Sequence, residues 1–192
     1  MLTLVLGQTG HGKMQYALRE AVNKAKGKKL LVVTQELSLS DVSRRIFEIL
    51  SYDKIQEPAS IRMTSEFSMD KFSEDIGNYD VVVLKGVYPE GNIFNGQTSV
   101  EKMNSLITIL RGFGAAFPGK EIIVTVNLNR LSQDFDEVSE KFFNKKEEVS
   151  SVYNEILVYR DSENRDFKVL NLADCSTKSY TSSDFLRSEE HT

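Results

Sequence analysis

The stretch "MLTLVLGQTGHGKM" opens the chain and limits its fold more than any other. Leu2 to Leu6 is an apolar run too short for a helix and closed by glycine, the pattern of a buried strand. From Lys13 onward, apolar residues fall at Met14, Ala17, Leu18, Ala21, Val22 and Ala25, one face of a helix that Gly27 stops. Between them lies a loop of Gly7, Gln8, Thr9, Gly10, His11, Gly12 and Lys13. It fits the phosphate-binding pattern G-x-x-x-x-G-K-[ST] at every position but the last, where Met14 stands. Glycines let successive backbone N–H groups turn inward around phosphate oxygens. The helix start contributes its positive pole and Lys13 a mobile charge. ATP or a similar nucleoside triphosphate is the ligand this pattern predicts; a plain glycine turn is the alternative.

Met14 changes the metal half of such a site. The hydroxyl that ordinarily follows the lysine holds Mg²⁺, and a thioether is a poor ligand for a hard cation. Mg²⁺ can keep its waters and be held mainly by substrate phosphates, so the change weakens metal placement more than nucleotide binding. Met14 also heads the apolar stripe of the first helix, which predicts that it packs beneath the loop.

The rest of the chain alternates strands with helices. Leu30 to Thr34 reads as a second buried strand. Ser38 or Ser40 can cap the next helix, with a stripe of Val42, Ile46, Phe47, Ile49 and Leu50. A short strand near Ile61 and a short helix through Met69, Phe72 and Ile76 follow. Val81 to Leu84 is a third central strand, and "GVYPEGNIFNGQ" a loop. Val100 to Phe113 carries helical spacing up to Pro118-Gly119, and Ile122 to Val126 is a fourth strand. Residues 127–150 are polar and predicted partly helical. "EILVYR" and "FKVLNL" flank "DSENRD" as a hairpin. The expected fold is α/β, a mostly parallel sheet flanked by helices with a C-terminal antiparallel hairpin. It forms one domain over residues 1–180, and residues 181–192 form a polar tail. Lys24, Lys26, Lys28 and Lys29 crowd the end of the first helix, where they suit the negative pole of its dipole and a solvated face.

Composition narrows the function classes. With 192 residues, a net charge of −4 and a pI near 5.4, the chain has no general attraction for nucleic acid or an anionic membrane. Cys175 is the single cysteine, so no internal disulfide forms and a cytoplasmic location is expected. No apolar run approaches a membrane span, and the first residues read as a strand, not a signal peptide.

The segment "KGKKLLVVTQELSLSDVSRRIFEIL" resembles the second strand and helix of the RecA-like ATPase core of DnaB-type replicative helicases. There the strand ends in "S-L-E-M-S"; here residues 34–38 are "TQELS". The resemblance implies that Glu36 is the catalytic glutamate, which activates the attacking water. "VTVNLNR" is similar to that family's "SQLNR", which senses the terminal phosphate and implies such a role for Asn127. "EILVYRD" resembles a late strand of the same core, and the likeness runs over most of residues 1–172.

Two departures accompany it. The family's third strand ends in an aspartate that holds Mg²⁺ through water; here Lys85 falls at that position, and Asp80 lies at the other end of the strand. Lys85 is either a positive charge standing in for the cation or a solvated strand-end lysine. After the last hairpin the family has a lysine and an arginine that reach a neighbour's nucleotide; "ADCSTK" offers only Lys178.

The expectation is therefore an ATP-binding, helicase-like protein with weak or no hydrolysis. It would act as an accessory to a helicase or recombinase partner in DNA replication or recombination, with weak or no nucleic-acid binding as a monomer. An active ATPase and a scaffold that has lost its ligand are the alternatives. The uncharged "GNIFNGQT" and the acidic "RLSQDFDEVSEKFF" disfavour a DNA motor.

Overall fold

The computed structural model places strands β1 (Leu2–Gly7), β2 (Lys29–Thr34), β3 (Ser60–Thr64), β4 (Val81–Lys85), β5 (Glu121–Asn127), β6 (Tyr153–Arg160), β7 (Phe167–Asn171) and β8 (Thr177–Tyr180) in one sheet. Helices α1 (Lys13–Lys24), α2 (Leu39–Asp53), α3 (Met69–Asp75) and α4 (Ser99–Ala116) lie between strands in the chain. The structure describes residues 1–7, 10, 12–87, 90–127, 153–160, 166–171 and 176–181. The strand order is β3-β2-β4-β5-β1-β6-β7-β8. Every pairing from β3 to β6 is parallel, while β6–β7 and β7–β8 are antiparallel.

Side-chain alternation along the strands divides the core into two layers. Leu2, Leu4 and Leu6 of β1 share a cluster with Phe72 of α3 and Leu106, Ile107 and Leu110 of α4. Val5 of β1 belongs to the other cluster, with Ala17, Leu18, Ala21 and Val22 of α1 and Val42, Ile46 and Ile49 of α2. β4 splits likewise, with Val82 and Leu84 toward α3 and α4 and Val81 and Val83 toward α1 and α2. Strands covered on both faces read as unbroken apolar runs, which is why "LTLVL", "LLVV" and "VVVL" carry no polar alternation.

Local chemistry sets the helix starts. The Ser38 hydroxyl accepts from the Asp41 N–H at 3.2 Å and caps α2. Thr98 and Glu101 form a reciprocal capping box on α4, with the Thr98 N–H donating to the Glu101 carboxylate at 2.6 Å. α1 has no side-chain cap; Gly12, with φ 82° and ψ 8°, precedes it.

Three features depart from the sequence-based expectation. Phe47 does not belong to the buried face of α2: it is 70% exposed, while Arg45 is buried. The spacing 42, 45, 46, 49 completes the inward face, and Phe47 lies outside it. The terminal hairpin gains a third strand, β8, from polar residues paired to β7 along one edge. The loop after β4 contains a 3₁₀ turn over Asn92–Phe94, with Phe94 fully buried as its anchor. The segment 128–150 and the tail from residue 182 lie outside the described residues, as do residues 161–165 and Cys175.

Candidate functional site

The carboxyl ends of β1, β2, β4 and β5 open on a cleft of about 350 Å³, lined by Gly10, Gly12, Lys13, Met14, Glu36, Leu37, Arg45, Lys85 and Asn127. Open α/β sheets bind ligands at this end. Register brings the parts level: Gly7 lies beside Asn127, and Thr34 beside Lys85.

The loop is shaped by its glycines at two kinds of place. Gly10 and Gly12 have φ of 81° and 82°, the left-handed region that other residues enter at a cost. At Gly7 the constraint is space: a Cβ would lie 2.7 Å from the Val158 carbonyl oxygen of β6. Lys13, the first residue of α1, is only 5% exposed. Burial, and after it the charge of Lys85, lower its pKa from 10.5 to about 8, against an opposing pull from Glu36.

Lys85 continues the face of Val81 and Val83, so the two-residue period turns it toward α1. Its ammonium donates to Glu36 Oε2 at 2.5 Å and is 8% exposed as a residue, so it is not a solvated strand-end lysine. Asn127 Nδ2 donates to the other carboxylate oxygen of Glu36 at 3.5 Å. The Glu36 carboxylate rests against Gly86, whose φ is +58°; a Cβ there would fall 2.2 Å from Glu36 Cδ. Glu36 is thus fixed by groups from β4 and β5 while Ser38 caps α2. Met14 is 8% exposed and packs in the α1–α2 apolar cluster, as the helical stripe predicts.

Of the residues singled out from sequence, Gly10, Gly12, Lys13, Met14, Glu36 and Asn127 line this cleft, and Gly7 ends the strand behind it. Gln8, Thr9 and His11 lie outside the described residues. Lys178 is exposed on β8, opposite Val169 of β7 and away from the cleft. Lys26, Lys28 and Lys29 are exposed at the far end of the sheet, where the Lys29 N–H donates to Asp80 at 2.9 Å. Sequence reasoning missed Arg45 and Leu37 as cleft residues. The signal for Arg45 was present, because a cation at i+3 from Val42 and i−4 from Ile49 sits on the inward face.

These groups fit a phosphate chain. Backbone amides at the start of α1 and the buried Lys13, Arg45 and Lys85 supply donors and positive charge. They do not fit a tightly held Mg²⁺. The residue after Lys13 is an apolar thioether, β4 ends in an ammonium, and Glu36, the one carboxylate among the described lining residues, is engaged by that ammonium.

Fold and site together define a RecA-like P-loop ATPase fold. Two solved structures carry it. One is the ATPase domain of a DnaB-like helicase, at a TM-score of 0.60 and 12% identity over 93% of this chain and 79% of that one. The other is a KaiC-like protein of Pyrococcus horikoshii OT3, at a TM-score of 0.52 and 18% identity over 94% and 82%. At such identities the likeness establishes the fold alone. No protein-family model matches the chain, and no curated protein matches it by sequence.

Proposed function

We propose that this protein binds ATP in the cleft, hydrolyses it slowly or not at all, and serves as an accessory or regulatory partner of a RecA-like or helicase assembly in DNA replication or recombination. The Glu36–Lys85 ion pair carries this reading. A general base must offer a lone pair to the proton it removes. Here one oxygen of Glu36 is held by the Lys85 ammonium and the other faces Asn127. Phosphoryl transfer depends on positioning and on charge stabilisation, and both positions that should hold the metal, 14 and 85, carry side chains unable to do so.

Binding without turnover still has a use. A ligand held only by the folded or assembled state stabilises that state by mass action. The loop amides and Lys13 would hold the phosphates, with Arg45 and Lys85 at the rim of the same cleft. A net charge of −4 gives the protein little to gain from DNA by itself, which favours action through a partner. A cytoplasmic location accords with the single cysteine. Among the described residues, no helix is long and apolar enough to cross a membrane.

Turnover at saturating ATP and Mg²⁺ tests the reading. The expected rate lies far below about 1 s⁻¹, the lower end of ordinary enzymes. A rate at or above that value would establish a working ATPase instead. Met14→Thr alone should raise the rate little, since position 85 still lacks a carboxylate.

A further inference from the structure

We infer that the cleft takes the triphosphate as the metal-free anion, with Lys85 standing in place of the divalent cation. This rests on the nucleotide-binding reading above and says which form of the ligand binds.

The reasoning starts from charge. Three buried cations, Lys13, Arg45 and Lys85, line the cleft with one carboxylate, Glu36. Three positive charges against one negative leave the site electropositive before any ligand arrives, and the start of α1 adds partial positive charge. Lys13 registers the excess: burial and Lys85 together bring its pKa down to about 8 despite the counter-pull of Glu36. Metal-free ATP carries more negative charge than its Mg²⁺ complex, so it relieves this excess more fully. A divalent cation near the end of β4 would instead face a fixed ammonium.

Geometry permits the substitution. Lys85 occupies the end of a central strand, level with Thr34 of β2 and on the face that carries α1. An ammonium has three donors. Glu36 takes one at 2.5 Å, which leaves others to meet phosphate oxygens without breaking the pair. Glu36 then acts as a strut that aims Lys85, held in turn by Asn127 and the bare face of Gly86. A lysine is a single positive charge on a flexible stem, so it neutralises less charge than Mg²⁺ and polarises the terminal phosphate less. Affinity without chemistry is the outcome.

The experiment is a titration of a fluorescent, ribose-labelled ATP analogue into the full chain in excess EDTA and, separately, in excess MgCl₂. The dissociation constant in EDTA should equal or fall below that in MgCl₂. Lys85→Met paired with Glu36→Gln removes the ammonium without stranding a buried carboxylate, and circular dichroism reports whether this variant folds. It should weaken binding in EDTA by about tenfold or more, the scale of one charge-assisted hydrogen bond. Lys85→Asp should reverse the preference, so that MgCl₂ tightens binding. Wild-type affinity at least about tenfold tighter in MgCl₂ than in EDTA, again one such hydrogen bond in scale, would overturn the inference while leaving nucleotide binding intact. Unchanged affinity in the folded double variant would overturn the role of Lys85. Absence of binding in both solutions would overturn the nucleotide-binding reading itself, and this inference with it.

Discussion

At the scale of single residues, the cleft sets function against stability. Lys13 is held protonated in a buried place where burial and Lys85 both oppose its charge, and its pKa falls from 10.5 to about 8. Between those values the unfolded chain binds more protons than the folded one, so this residue's penalty is full below pH 8 and fades as pH rises toward 10.5. Lys13→Met should therefore stabilise the ligand-free protein by roughly 0.5–2 kcal/mol at neutral pH. The gain over wild type in urea midpoint should shrink as pH approaches 10.5. The same lysine sets the pH response of binding, because a neutral amine attracts phosphate far less than an ammonium. Affinity for the labelled ATP analogue should decline as pH passes about 8, well before an ordinary lysine titrates. Lys13→Ala should weaken binding at least several-fold at neutral pH; equal binding by wild type and variant would remove Lys13 from the site.

At the scale of elements, the turn leaving β4 matters as much as the phosphate loop. Gly86 has φ +58° and lies against the Glu36 carboxyl group. Gly86→Ala adds a backbone cost of about 1–2 kcal/mol and a steric conflict with Glu36. Adding Glu36→Ala should relieve the steric part and leave the backbone part, a coupling that a double-mutant cycle in urea reads directly. Strictly additive losses would place Glu36 elsewhere in solution. Much of this architecture was legible in the sequence, because the first strand, its loop and α1 combine a period change with a motif, and unbroken apolar runs mark buried strands. The edge strand β8 was not legible: its residues Thr177–Tyr180 are largely exposed and carry no apolar pattern. Phe47 misled because hydrophobicity was weighed above angular position, and Arg45 was passed over for the same reason. The pairing of Glu36 with Lys85 was half visible. Each residue stood out alone, and the two-residue period of β4 could have turned Lys85 toward α1.

At the scale of the whole molecule, assembly is the open quantity. The resemblance to DnaB-type cores implies sites completed by a neighbour, and Lys178, exposed on β8, is a poor substitute for a paired lysine and arginine. Light scattering with and without ATP should show a monomer or weak oligomer that joins a RecA-like or helicase partner. A stable ATP-dependent homohexamer that unwinds a DNA fork would refute this. The strand order also bears on how the protein is made. β1 is translated first, yet its two neighbours in the sheet begin at residues 121 and 153. A ribosome releasing the first half of the chain has produced the phosphate loop but neither of the strands that brace it, and contacts so distant in sequence form late. The nascent chain therefore exposes the apolar flanks of "LTLVL" for most of its synthesis, so chaperone demand and sensitivity to truncation should both be set by the arrival of β6.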